Sequence, residues 1–207
     1  MPQRFRFEIN EDGVWTISHE AILNAQRCLG YTKTGHRCQR KCIIGFEYCS
    51  THLESIKKLK IKNSTLPNAG KGLFVSDKSK GPNDIVFKKN DKIVEYNGKI
   101  KTQEQLDEEY GNYTAPYAMN IRGTENVIDA GDKRGVGPLI NHKSRTQSNC
   151  KFKDTRQNHR TVGVEIVATK SIRNGQELFV SYGDDYIFED ENEVRHSTKP
   201  YYPPKRK

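Results

Sequence analysis

The chain has 207 residues and a formal net charge of +9, room for one domain plus a small appendage, or two small domains, at roughly 150 residues per domain. Hydrophobic residues make up 33% of it, below the usual ~45–50% apolar share, yet 8 Phe, 10 Tyr and 1 Trp suffice to anchor a modest core. No apolar run approaches the ~20 residues of a membrane span, and residues 1–10 lack the apolar stretch of a secretory signal, so the sequence reads as a soluble, intracellular protein that is not secreted.

In chain order, Phe5-Arg6-Phe7-Glu8-Ile9 alternates apolar and polar residues and Val14-Trp15-Thr16-Ile17 follows an Asp12-Gly13 turn, which predicts a hairpin. Ser18 is placed to cap a short helix over 19–26. The Cys-rich segment 28–52 holds too much Gly and Thr for a long helix, and 53–62 reads as a charged helical linker. Beyond it, short β-type runs recur at 72–75, 92–96, 126–128, 162–168 and 178–180, with one helix over 102–110. Many short strands between Gly-rich turns imply a mostly β (α+β) domain. The organisation expected is an N-terminal region 1–62, a main domain 63–188, and a charged, Pro-rich basic tail 189–207.

Four of the five cysteines fall in one short segment, and an odd count without a signal peptide argues for metal or free thiols rather than a disulfide framework. Cys28-x9-Cys38-x10-Cys49-x2-His52 offers three thiolates and one imidazole, the donor set of a closed structural zinc site. A segment this small cannot bury a useful core, so metal would supply its folding energy. Cys42 is a spare thiol that could replace Cys38, and buried structural thiols are the competing reading. The element Cys-x-Gly-x-Thr-Lys-x-Gly-x-x-Cys…Tyr-Cys-x-x-His also resembles a small zinc-binding module of large DNA viruses and some eukaryotes.

Lys and Arg number 35 against 26 Asp and Glu. The surplus is densest in 1–65 and again in 143–160, where six basic residues face one Asp. Such patches suit phosphate backbones, nucleosomal DNA among them, although a solvated basic surface has the same composition.

Ala69-Gly70-Lys71-Gly72-Leu73-Phe74 permits close backbone approach to a ligand. Leu139-Ile140-Asn141-His142 places two polar residues after an apolar pair, and Glu177-Leu178-Phe179-Val180-Ser181-Tyr182-Gly183 ends a strand on a tyrosine. With Ile93-Val94-Glu95-Tyr96-Asn97-Gly98 and Val127-Ile128-Asp129-Ala130 between them, these blocks in this order resemble the SET-domain protein lysine methyltransferases, over about residues 67–186.

That resemblance implies small curved sheets with a pseudoknot, in which the closing segment threads past Asn141-His142. It implies S-adenosylmethionine as cofactor, held by Gly70, Lys71, Gly72, Leu73, Asn141, His142 and Tyr182. Tyr182 matches the catalytic tyrosine and Tyr117 the channel tyrosine, while Tyr186 or Phe188 could cover the adenine or channel mouth. The implied activity is lysine methylation of a histone or other basic protein tail, in the nucleus or on chromatin. Asp184, Asp185, Glu189, Asp190, Glu191 and Glu193 could attract such a substrate. The alternative is a zinc-containing chromatin or nucleic-acid-binding module whose SET fold is not catalytic.

The sequence departs from the family pattern in several places. Lys143-Ser144 replaces the usual Ser-Cys, Pro138 stands where Arg is common, and 78–83 reads as an insertion. No Cys-x-Cys-x4-Cys cluster follows Tyr186, which leaves 189–207 to close the channel some other way or not at all. Val180, two before Tyr182, leaves the number of methyl groups open.

Overall fold

A computed structural model describes residues 6–9, 15–18, 26–43, 45–110, 117–131, 135–158 and 160–183. The N-terminal hairpin forms as its alternation predicts: β1 (Arg6–Ile9) pairs antiparallel with β2 (Trp15–Ser18). The helix expected over 19–26, the 184–193 carboxylates, Tyr186, Phe188 and the tail all lie outside the described residues.

The expected helical linker over 53–62 is instead the end of a helix followed by a strand. The helix, α1 (Ser50–Lys57), starts earlier and stops at Lys58, whose left-handed φ of 60° lets its N–H close on the Glu54 carbonyl at 3.2 Å. The chain then turns into β3 (Leu59–Asn63), paired antiparallel with β4 (Lys71–Val75). Leu59 and Ile61 alternate with Lys60 and Lys62, the period-two pattern of a half-buried strand, and Leu59 is fully buried. The 62/63 boundary therefore falls inside β3, one residue before its end, in a strand paired along its length with β4. Leu53 of α1 lies in the same apolar cluster as Leu73, Val94, Ile140, Ile166 and Leu178, with Ile43 and Phe46 packed against it.

The rest of the domain is a set of small sheets. β5 (Ile85–Phe87) pairs with β13 (Ile172–Arg173). β6 (Lys92–Glu95) joins β11 (Cys150–Gln157) and β12 (Arg160–Ala168) in the order β11-β12-β6. β7 (Lys99–Thr102), β8 (Ala118–Asn120) and β9 (Asn126–Asp129) form a second three-stranded sheet, order β7-β9-β8. The expected helix appears as α2 (Gln103–Tyr110), capped by the Thr102 hydroxyl, which accepts the Gln105 N–H at 3.3 Å. Buried Asp129 ties this sheet to α2, pairing with Lys101 at 2.5 Å and accepting the Tyr110 hydroxyl at 3.2 Å.

The last pair positions the site. β10 (Asn141–His142) runs parallel to β14 (Phe179–Val180). On its other side the closing segment meets β4, with the Leu178 N–H donating to the Leu73 carbonyl at 2.8 Å. Asn149 fastens it a third time: its side chain donates to the Glu177 carbonyl and accepts the Phe179 N–H, both at 2.8 Å. Residues 177–180 are thus held between β4 and the 141–149 segment, the threaded arrangement expected. Among the described residues no helix is long and apolar enough to cross a membrane.

Candidate active site and metal centre

Three segments far apart in sequence converge where β4, β10 and β14 meet. The Asn141 amide donates to the Lys71 carbonyl at 3.1 Å and to Glu177 Oε1 at 3.3 Å. Both glycines of Gly70-Lys71-Gly72 are required, for different reasons. Gly70 has φ +62°, where L side chains are strained, and open space stands where its Cβ would be. At Gly72 a Cβ would lie 2.2 Å from Glu177 Oε1 and 3.2 Å from the Asn141 amide nitrogen. Lys71 contributes its backbone here, since its ammonium is turned to Asn63 Oδ1 at 2.6 Å. Leu73 is fully buried beneath the turn.

Glu177 is the residue whose role the sequence reading missed. Only 6% exposed, it accepts the Ser64 hydroxyl at 2.7 Å, the Thr65 N–H at 2.7 Å and the Thr65 hydroxyl at 2.6 Å, besides the Asn141 amide. Burial pushes its carboxyl pKa up, but the hydrogen bonds from Thr65, Ser64 and Asn141 outweigh this and hold it below its ordinary value. The sequence signal was present as an acid two residues after a turn glycine, Gly175-Gln-Glu177, without any local hint of its partners.

Tyr182 follows β14. Its N–H donates to His142 Nδ1 at 2.9 Å and its hydroxyl donates to the Ile140 carbonyl at 2.8 Å. Nδ1 of His142 is therefore an acceptor, and burial lowers the imidazole pKa, which favours the neutral ring. The two rings meet edge-on, centroids 5.3 Å apart. A tyrosine oxygen that donates to a carbonyl keeps its lone pairs to offer to a polar or cationic group. Tyr117 stands at the start of β8 with φ 62°. Its carbonyl accepts the Tyr96 hydroxyl at 3.0 Å, and its side chain is exposed.

The second centre lies before α1. Cys28, Cys38, Cys49 and His52 bring one ligand atom each to within 4.8 Å of one another. His52 Nδ1 stands 3.4 Å from both Cys28 Sγ and Cys49 Sγ, close to the edge of a tetrahedron built on ~2.3 Å metal–sulfur and ~2.0 Å metal–nitrogen bonds. His52 Nε2 faces the Tyr31 carbonyl at 2.8 Å. A carbonyl only accepts, so Nε2 carries the proton and Nδ1 presents its lone pair to the thiols, as in a histidine oriented to bind metal. Burial raises the Cys49 thiol pKa, but the backbone N–H groups of His52 and Thr51 and the Cys28 thiol, all turned to its sulfur, outweigh this and hold it below the ordinary value. Gly30 is demanded by the ligand, since a Cβ there would sit 2.4 Å from the His52 ring. Cys42 does not replace Cys38: its thiol donates to the Glu47 carbonyl at 3.2 Å, and Cys38 completes the cluster. The fifth thiol, Cys150, opens β11 opposite Ala168 of β12 and is buried in the core, which pushes its pKa up to about 12, a packing residue.

The family model of the SET domain matches residues 85–183, and no curated protein matches the chain. Among solved structures, the crystal structure of CpSET8 from Cryptosporidium is 26% identical at TM-score 0.46, over 61% of this chain and 57% of that one. The structure titled ctPRC2 in an autoinhibited conformation bound to S-adenosylmethionine is 22% identical at TM-score 0.50, over 72% of this chain and 17% of that one. A humanized mutant of the Chaetomium thermophilum Polycomb Repressive Complex 2, bound to the inhibitor GSK126, is 22% identical at TM-score 0.48, over 66% and 16%. The chain thus spans little more than half of the Cryptosporidium protein and about a sixth of the Polycomb chains.

Proposed function

We propose that this chain, which carries a SET domain, is an S-adenosylmethionine-dependent protein lysine N-methyltransferase that acts on a histone tail. The observation that supports it most is the convergence of three motifs. Asn141 bonds the Lys71 backbone, His142 receives the Tyr182 N–H, and the Tyr182 hydroxyl is oriented on Ile140.

The residues present fit the cofactor. Gly70 and Gly183, at φ +62° and +115° with nothing within 4 Å of either Cβ position, leave backbone open to close approach on both sides of the Asn141-His142 pair. When bound, S-adenosylmethionine supplies an electrophilic methyl group on a sulfonium. The backbone of 70–73, Asn141 and His142 would hold it. Tyr182 would accept from the amine and stabilise the positive charge with its oxygen. In-line methyl transfer gains most from alignment, and the lysine must arrive neutral although its ordinary pKa is ~10.4. Tyr182 and the buried wall beside Ile140 would disfavour the ammonium by excluding water.

A histone tail is supported by charge: the 184–193 carboxylates would draw a basic segment, and the surplus of cations elsewhere suits nucleosomal DNA. The same reading places the protein on chromatin. Cys28, Cys38, Cys49 and His52 would hold one structural zinc ion. Four protein ligands leave no open position for chemistry.

The test is transfer of radiolabelled methyl groups to a core-histone mixture, with mass spectrometry to locate the product, wild type beside Tyr182→Phe. Label on histone lysines in the wild type alone is expected. Label on another basic protein but not histones removes the histone assignment, and no transfer to any protein with intact cofactor binding removes the enzymatic one.

A further inference from the structure

The arms of the metal centre form a two-stranded ribbon with two different faces. Arg27 opposes Lys41 and Tyr31 opposes Arg37. Between them, Cys28 N–H bonds the Arg40 carbonyl at 2.9 Å and Cys38 N–H the Gly30 carbonyl at 2.8 Å. In a ribbon of this register alternate residues share a face. Cys28, Gly30 and Cys38 turn to His52 and the ligand cluster. Arg27, Leu29 and Tyr31 on one arm, and Arg37, Gln39 and Lys41 on the other, form the opposite face, and all six are exposed. Leu29 is 49% and Tyr31 65% exposed, in a segment whose buried side chains, among the described residues of 26–52, are Cys28, Cys38 and Cys49.

We propose that this face binds unpaired nucleotides of a single-stranded nucleic acid, with a base stacked on Tyr31 and backbone phosphates on the flanking cations. Four observations converge on that ligand. Aromatic and cationic residues interleave on a flat β surface, the arrangement that stacks splayed bases while neutralising their phosphates. The arginines are pre-set. Arg27 donates to the Cys38 and Arg37 carbonyls, and Arg37 to those of Cys28 and Arg27, at 2.9–3.2 Å, which leaves each guanidinium three of its five N–H donors. The charge is unopposed: residues 26–52 hold five Lys and Arg against Glu47, and Glu47 is paired with Lys57 at 3.7 Å. Finally, the helix that follows the ribbon among the described residues, α1, packs Leu53 and Glu54 against the domain rather than offering that face to a major groove. Tyr31 is also tied to the metal centre, because its carbonyl holds His52 Nε2. Metal binding would therefore fix the stacking residue in place.

The experiment is fluorescence anisotropy of the full-length, zinc-loaded protein with labelled oligo(dT), oligo(rU) and a duplex, each about 20 units long, from about 50 to 200 mM salt. Both single strands should bind more tightly than the duplex, and their ratio tells DNA from RNA. Tyr31→Ala should weaken binding about 10-fold or more while Tyr31→Phe stays within about 3-fold. Lys41→Gln should lower the salt slope by about 0.7. Zinc content is measured on every variant, and Leu29→Ala, which leaves the Tyr31 carbonyl untouched, reads the same face if Tyr31→Ala loses metal. The proposal is overturned by equal or tighter duplex binding, by no binding at the lowest salt, or by metal-loaded Tyr31→Ala and Leu29→Ala proteins that bind as wild type. None of these readouts depends on methyl transfer, so the proposal stands or falls apart from the proposed enzymatic activity.

Discussion

Glu177 and Thr65, 112 positions apart, are joined twice through one carboxylate oxygen, by the Thr65 N–H at 2.7 Å and its hydroxyl at 2.6 Å. The other oxygen takes Ser64 and Asn141. One buried charge therefore ties the loop before the Gly70-Lys71-Gly72 turn to the threaded segment.

Glu177→Gln keeps the volume but puts an N–H₂ where donors already point. The expected loss is about 1–3 kcal/mol, the range for leaving a buried donor unsatisfied. For a chain of this size that lowers Tm by roughly 2–4 °C per kcal/mol. Cofactor affinity should fall with it, because Asn141 loses one of its two acceptors. Thermal melts with and without S-adenosylmethionine measure both. A variant of wild-type Tm would mean that water replaces these contacts without loss.

Acid should unfold the protein in a defined window. Hydrogen bonds from Lys78, opposed by burial and aided by Ser76 and Lys60, hold Glu54 at about 2 against an ordinary 4.5. Glu177 and Asp77 are lowered as well. A depressed carboxyl pKa stabilises the fold above the unfolded value, and that stability is lost as pH falls through the folded one. His142 adds a shallower loss below its ordinary 6.5, because the unfolded ring takes up a proton that the buried ring resists. Lys78 is 73% exposed, so solvent screening trims its share. Denaturant melts from pH 8 to 2 should be nearly level at the top and steepest between 4.5 and 2. Glu54→Gln should lie lower at neutral pH and show a shallower acid slope.

The five motifs and the strands that carry them were legible because each is a short apolar run beside a glycine or a polar pair. β3 was not, since Lys60 and Lys62 conceal Leu59 and Ile61 in a run whose net appearance is charge. β11 was hidden similarly: Lys151 and Lys153 around Phe152 read as a basic stretch, although Cys150 and Phe152 point inward against Ala168 and Ile166. The Cys3His set was legible down to its members. What the sequence left open, whether Cys42 could stand in for Cys38, is decided by the Cys42 thiol turning to the Glu47 carbonyl. The partners of Glu177 and the Asn149 clamp were beyond reach, because no local pattern encodes a contact across so much chain.

Truncation at residue 63 should not leave a folded domain. It removes all of β3 but Asn63, Leu59 included, and removes Leu53 and Glu54, which pack and pair with what remains. Two fully buried leucines at about 1.5–3 kcal/mol each are a large fraction of a typical 5–15 kcal/mol stability. Circular dichroism and hydrogen exchange on residues 63–207 should report a molten or aggregated chain. The 62/63 boundary read from the sequence predicts the opposite, a soluble fragment that binds cofactor, and that result would support it.

Metal analysis of purified protein should return about one zinc per chain. His52→Ala should lose it and lower Tm. Because α1 starts one residue after Cys49, chelation should loosen the helix along with the ribbon. A chelated protein with an unchanged melt and unchanged exchange over 26–57 would show that buried thiols alone hold the module.

The most discriminating substitution is Tyr182→Phe. It removes one oxygen that donates to the Ile140 carbonyl at 2.8 Å and keeps the ring against His142. Losing one such hydrogen bond costs about 1 kcal/mol of stability, so the variant should fold. Its backbone N–H still reaches His142 Nδ1, and Asn141 still reaches Lys71, so S-adenosylmethionine affinity should change little. Turnover should not survive in proportion. Removing one preorganised polar group from a dry site costs ~10²–10³ in rate when that group acts in the transition state. Asn141→Ala should show the reverse profile, weaker cofactor binding and a lower Tm together, because both its partners belong to the threaded core. If Tyr182 only packs the end of β14, the Phe variant should turn over within a few-fold of wild type. Single-turnover methyl transfer at saturating cofactor separates the two, because it reads the chemical step free of binding.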